Sequence, residues 1–313
     1  MRIGYPFINY TIGCRANRTF RLKSYSDHYL KSTVESNLEC LFHILKYNVK
    51  HHLTFFRITS DLVPFASHPI CKFEWMVHFR PVFQEIGVFI QQHQIRISMH
   101  PDQFTLINAE KESIFQRSQA ELLYHVKILE ALRADNTAKI QIHVGGLYGN
   151  RTASIRRFIR RYHQLDDRLR KHLVIENDDY NFSIKDCLTI HQETGIPVVL
   201  DVFHHAIFNN GESLTEALDA VQKTWSNRDN GLMIVDYSSQ QPNARKGTHA
   251  MTLDSADFQR FIEDSRPYNF DLMLEVKDKE CSAINAVRIV QNDPRFFPSF
   301  LLIDERTIPQ TVS

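Results

Sequence analysis

Apolar residues along this chain fall into two alternating patterns. Short runs rich in β-branched and aromatic residues, such as Pro197-Val198-Val199-Leu200, read as strands buried on both faces. Longer stretches with apolar residues at helical spacing lie between them. The runs predict strands over Arg2–Tyr5, Leu53–Thr59, Ile95–Met99, Lys139–Val144, His172–Glu176, Pro197–Val202, Leu232–Tyr237 and Asp271–Val276. Helices are predicted near 27–50, 72–93, 109–134, 151–170, 183–193, 212–226, 255–265 and 279–292. Ser26-Asp27, Ser183 ahead of Asp186, and Asp254-Ser255 supply helix start signals. Eight strands alternating with eight helices in 313 residues predict an α/β fold, a (β/α)8 TIM barrel in a single domain. Its core would cover about 2–293, with a C-terminal extension over 294–313. A doubly wound open sheet is the alternative, but the first strand–helix turn lacks a Gly-x-Gly-x-x-Gly dinucleotide cradle.

In a barrel the carboxyl ends of the strands share one rim, where catalytic residues collect. Here those ends carry His100, His143, Glu176, Asp201 with His204, Asp236, and Glu275 with Lys277, while His249 follows the seventh strand and His68 the second. Singly, each has a plain structural explanation: a satisfied core histidine, a helix cap, a lysine partner. Asp178 or Asp179 reads as a cap, and His205 as a neighbour of a ligand. Together, the acids would repel one another without cations. Imidazole and carboxylate without thiolate favour Zn²⁺, Mn²⁺, Fe²⁺ or Co²⁺ over Mg²⁺ or Ca²⁺. Closely spaced cations acidify bound water, polarise a phosphoryl oxygen and stabilise a leaving alkoxide, which suits phosphodiester hydrolysis. Sugar isomerase and epimerase barrels use the same residue types, so site composition leaves both activities open.

The remaining composition narrows the setting. No apolar run reaches the roughly 18 residues of a membrane span, and Met1-Arg2-Ile3-Gly4-Tyr5 lacks the layout of a signal peptide. The five cysteines are scattered, which suits a reducing interior and neither a disulfide framework nor a thiolate metal site. A cytoplasmic location, nucleoid-associated during action, is the expectation. Net charge is only +1, yet residues 1–26 carry Arg2, Arg15, Arg18, Arg21 and Lys23 with no acid, among Tyr5, Phe7, Tyr10, Phe20 and Tyr25. That stretch follows the first strand and suits phosphate contacts, as do Arg245 and Lys246. Arg156, Arg157, Arg160 and Arg161 read as a solvated helix face.

Gly4-Tyr5…Asn9, Phe56-Arg57-Ile58-Thr59-Ser60…Ser67-His68, Met99-His100-Pro101-Asp102-Gln103, Ile142-His143-Val144-Gly145-Gly146, Ile175-Glu176-Asn177-Asp178 and Leu200-Asp201-Val202-Phe203-His204-His205 together resemble the UV damage endonucleases. The resemblance keeps motif order from residue 4 to about 277. That family is similar in barrel and metal cluster to endonuclease IV. It implies a nick immediately 5′ of cyclobutane pyrimidine dimers and 6-4 photoproducts in double-stranded DNA, leaving a 3′-hydroxyl and a 5′-phosphate. By the same resemblance two to three divalent ions, Mn²⁺ first and Zn²⁺ or Co²⁺ next, would be the cofactors. His100, His143 and Glu176 would hold one ion. Glu176 would bridge to a second, completed by Asp201, Asp236 and Glu275, and His204 and His249 would hold a third. His68, Glu176 and Lys277 form the implied catalytic set. Gln103 and Phe104 would be inserted at the lesion, Tyr5 and Asn9 would line its pocket, and Arg15, Arg18, Arg245 and Lys246 would meet phosphates. Neither a membrane nor an obligate protein partner is implied. The chain departs from the family on the seventh strand, where a Lys-x-His pair is replaced by Ile234 and Asp236, so no modified lysine can sit there. Gly247 stands two before His249, where endonuclease IV has an acid, leaving the third metal fewer ligands.

Overall fold

A computed structural model describes residues 1–225 and 230–299 of the chain. Eight parallel strands, β1 (Ile3–Pro6), β2 (Phe55–Ile58), β3 (Arg96–Met99), β4 (Lys139–His143), β5 (Leu173–Glu176), β6 (Val198–Asp201), β7 (Met233–Tyr237) and β8 (Phe270–Leu274), pair in sequence order. β8 pairs in turn with β1, Ile3 opposite Leu272 and Gly4 opposite Met273, so the sheet is a closed barrel and the open-sheet alternative falls. Between strands run α1 (Asp27–Lys50), α2 (Trp75–His78), α3 (Arg80–Gln92), α4 (Glu112–Ala131), α5 (Arg151–Tyr162), α6 (Asp167–His172), α7 (Ile184–Thr194), α8 (Val202–Ile207), α9 (Leu214–Lys223), α10 (Ser255–Asp264) and α11 (Glu280–Val290). One contiguous core fills the space between barrel wall and helices.

The start signals act as local chemistry requires. Ser26 accepts from the Tyr29 amide, Ser183 and Asp186 form a reciprocal capping box, and Asp254 accepts from Ala256 and Asp257. Two expected helices are broken. The stretch 72–93 divides at Phe79, with Pro81 in the first turn of α3, where its missing N–H costs nothing. The stretch 151–170 divides at 163–166, and Asp166 starts a new helix by accepting from Arg168. α8 was not expected; Asp201 caps it by accepting from the His204 amide, which turns the chain directly out of β6. Six residues are too few to show a helical period. Position 226 of one expected helix and positions 300–313 of the expected extension lie outside the described residues.

The cysteine reading is corrected. Cys14, in the loop after β1, is disulfide-bonded to Cys40 of α1, their Cα atoms 5.8 Å apart. Chain spacing could not reveal this, because bonding depends on where the loop folds back. Among the described residues no helix is long and apolar enough to cross a membrane.

At the amino-terminal mouth, buried Arg96 and exposed-edge Arg2 both pair with Asp271, at 2.9 and 3.4 Å. Lys139 donates to the Lys171 carbonyl and to Asn230. This closes the floor with paired charges, leaving the opposite rim for chemistry.

His125 of α4 is fully buried, its Nδ1 donating to the Glu121 carbonyl at 2.8 Å and its Nε2 lying 2.9 Å from the Ser60 hydroxyl. Burial lowers its pKa to about 4 from 6.5. The stability contributed by its neutral form is complete above pH 6.5 and is lost as pH falls toward 4. Across that window the loss is about 3 kcal/mol. In urea unfolding at pH 7 and pH 5, His125→Gln should lose less stability on acidification than the native chain. Equal losses would contradict this.

Candidate metal centre

Alternation along the strands points Arg57 of β2, Gln141 of β4 and Asp236 of β7 into the lumen, and brings His143, Glu176 and Asp201 to its upper end. Gly4 permits the close wall, since a Cβ there would collide with the Phe55 carbonyl. Gly145, just after β4, has φ +116° and faces Asn108, so neither its backbone nor its space admits a side chain.

Two groups of ligand atoms converge. His100 Nε2 and His143 Nε2 each lie 2.9 Å from Glu176 Oε1. Oxygens of Glu176, Asp201 and Asp236 also gather within 4.8 Å of one another. Glu176 belongs to both groups. His204 and His249 stand to one side, ring centroids 5.9 Å apart.

The donor chemistry fits a divalent cation. His100 Nδ1 donates to the Pro101 carbonyl at 2.7 Å, His204 Nδ1 to the Asn177 carbonyl at 3.1 Å, and His249 Nδ1 to the Glu275 carbonyl at 2.9 Å. A carbonyl can only accept, so in neutral rings the proton sits on Nδ1 and the Nε2 lone pair is left for a ligand. Electrostatics agree. Burial opposes charge on His143, but the Glu176 carboxylate overrides it and raises the pKa to about 9. His204 is likewise raised to about 9, burial being outweighed by Asp201 and then Glu176. Burial raises Asp201 to about 6 despite His204, with Glu275 and Glu176 adding to the rise. Burial pushes the Asp236 carboxyl up against the pull of Arg57, and Glu275 and Glu176 reinforce that push. The cluster is short of positive charge.

The sequence family follows from the whole-chain match. The family model described as UV-endonuclease UvdE matches residues 6–294. The chain belongs to this family. A UV DNA damage endonuclease of Clostridium perfringens is 38% identical over 288 residues, covering 92% of this chain and 70% of that protein. One from Bacillus thuringiensis subsp. konkukian is 34% identical over 261 residues, 83% of this chain and 82% of that one. The crystal structure of SacUVDE superposes with a TM-score of 0.89 at 43% identity, covering 93% of this chain and 98% of that one. D-psicose 3-epimerase from Clostridium cellulolyticum H10 gives a TM-score of 0.51 at 12% identity, over 81% of this chain and 86% of that one, a likeness of fold alone.

Within this UvdE-family barrel the other predicted residues fall into distinct places. His68 is exposed, on a cleft of about 720 Å³ lined also by Arg57, His100, Phe65 and Glu275, and its Nδ1 accepts from the Ile70 amide. Gln103 and Phe104 are exposed at the tip of the loop after β3, Phe104 at 72%. The side chains of Arg15, Arg18, Arg245 and Lys246 are exposed. Tyr5 and Asn9 are both buried, Tyr5 donating to Asn48 and accepting from Asn9, which in turn accepts from the Thr11 and Ile12 amides. Those bonds shape the first loop. Lys277 is exposed, and among the described residues no hydrogen bond ties its side chain to the cluster. Lys279, two residues on, is the lysine coupled to Glu275, burial lowering its pKa against that attraction. Asp178 caps a turn and not a helix, accepting from Tyr180, Asn181 and Phe182.

The arginine run is also corrected in part. Arg156 and Arg160 are exposed, but Arg157 donates to the Asn108 carbonyl, and Arg161 to those of Ile107 and Ala109. They clamp the base of the loop that carries Gln103 and Phe104. Sequence reading also passed over Arg57 and Gln141 as functional residues. The signal was present, since a charged or amide side chain inside an apolar barrel strand has to face a polar lumen.

Because Glu176 supplies an oxygen to both groups, Glu176→Gln is expected to weaken Mn²⁺ binding at least about tenfold. Isothermal titration of metal-free protein checks this; unchanged affinity would contradict it.

Proposed function

We propose that this chain repairs UV-damaged double-stranded DNA by hydrolysing the phosphodiester immediately 5′ of cyclobutane pyrimidine dimers and 6-4 photoproducts, leaving a 3′-hydroxyl and a 5′-phosphate. The observation that carries the proposal is the convergence of His100, His143 and Glu176 at the rim of a barrel whose family is that of UV endonucleases. His100, His143 and Glu176 would hold one divalent ion, with Mn²⁺ favoured over Zn²⁺ or Co²⁺. Glu176, Asp201 and Glu275 offer oxygens to a second, and His204 and His249 offer nitrogens to a third. Bound there, such ions supply Lewis-acid polarisation of the phosphate and acidify water.

The chain's own residues perform the rest. The carbonyls of Pro101, Asn177 and Glu275 keep three imidazoles in the ligand tautomer. His68, which lines the same open cleft as His100, would hydrogen-bond the scissile phosphate. The ammonium of Lys279, coupled to Glu275, adds positive charge on the same rim. Phe104 offers a bare ring to stack in the gap left by an extruded dinucleotide, with Gln103 beside it. Photoproducts stack poorly, so their extrusion costs less and favours damaged sites. Arg15, Arg18, Arg245 and Lys246 give sequence-independent phosphate contacts.

Nicking of UV-irradiated supercoiled plasmid tests the reading. EDTA should abolish nicking, Mn²⁺ should restore it, and His100→Ala should stay inactive in both conditions; no nicking by the Mn²⁺-loaded native chain would sink the proposal. Phe104→Ala should weaken binding to irradiated duplex by about 1–3 kcal/mol, the worth of one stacked base. Mobility-shift titration reads this, and metal content should be unchanged.

A further inference from the structure

Arg57 is 1% exposed and lies in the lumen directly beneath the ligand groups. One terminal nitrogen lies 3.0 and 2.8 Å from the two oxygens of Asp236 and 2.9 Å from the Gln141 amide oxygen. The other pairs with Glu275. A guanidinium does not lose its proton in a protein, so the positive charge is permanent. Gln141 Nε2 donates to Asp236 Oδ2 at 2.6 Å as well. Both Asp236 oxygens are therefore engaged by protein donors.

The neighbouring carboxylates differ. Glu176 Oε2 accepts from the neutral Gln141 amide, while its Oε1 faces two imidazole Nε2 atoms that carry no proton when a metal is bound. Asp201 accepts from the His204 amide through Oδ1, and no arginine or lysine pairs with it among the described residues. A divalent ion placed on an Asp236 oxygen would stand close to the guanidinium. At 4 Å and an effective dielectric constant near 20, two unit charges repel by about 4 kcal/mol, and a dication doubles this. Removing Arg57 from Asp236 to make room would strand a buried charge, which is costlier still.

We propose that Arg57 is the resident cation of the β7 side of the centre, and that Asp236 is its counter-ion and not a metal ligand. Divalent ions then load only where Glu176, Asp201, the Glu275 oxygen that Arg57 does not hold and the histidines present donor atoms. The assignment rests on the metal-centre reading above.

The test is metal stoichiometry, measured on full-length protein loaded with Mn²⁺, desalted and analysed by plasma mass spectrometry. Asp236→Asn should hold as many Mn²⁺ equivalents as the native chain, while Asp201→Asn should lose one. Because Asp236→Asn leaves Arg57 without its full counter-charge and could fail to fold, the double variant Arg57→Met/Asp236→Asn removes both charges together and should also keep native stoichiometry. Loss of one equivalent in either Asp236 variant, from a native chain that binds Mn²⁺, overturns this assignment alone. A native chain that binds no Mn²⁺ overturns the metal reading and this assignment with it.

Discussion

A barrel lumen is ordinarily filled by layers of branched apolar side chains. This one instead buries the carboxylates of Glu176, Asp201 and Asp236, with Glu275 part-buried at the rim, around one guanidinium. Like charges at such spacing in a poorly solvated space are tolerable only if cations are present. Much of the surrounding architecture follows from that demand. Asn177 bonds both the amide and the carbonyl of Asp201, at 2.9 and 3.0 Å, which fixes the strand end. Gln141 donates to Glu176 and to Asp236, tying the two acids to one amide. Backbone carbonyls orient three histidines before any ligand arrives, so little ordering is left to be done on binding.

Likeness to sugar epimerases shows how widely this arrangement of strands is shared. At the rim this chain raises an exposed aromatic ring on one loop and displays arginines and a lysine on two others. A fold cannot separate these uses, but rim chemistry can.

Much of the barrel was legible because parallel strands buried on both faces leave apolar runs that helices interrupt. His100, His143, Glu176, Asp201 and Asp236 were equally legible, since each lies at or next to the end of such a run. Other features were not. Helix breaks at Phe79 and at 163–166 depend on local caps within continuous helical patterns. Tyr5 lies toward the rim end of β1 and Asn9 in the loop after it, and the burial of both goes with tertiary hydrogen bonds to Asn48 and to each other. Lys277 and Lys279 sit in Glu275-Val276-Lys277-Asp278-Lys279, and only the backbone turn at Lys279, with φ 53°, decides which of them faces the acids. Arg57 was visible all along within its motif, yet its partners come from β4, β7 and the end of β8, far away in sequence.

Consider finally the loop that follows β3. It begins at His100, one of the imidazoles facing Glu176, rises to Phe104, and descends to Ile107–Ala109, where Arg157 and Arg161 of α5 grip three successive carbonyls. Any force met at the tip has two paths down, one along the backbone to His100 and one through the arginines into α5. Load shared with that outer helix is load that the imidazole four residues from the tip does not take.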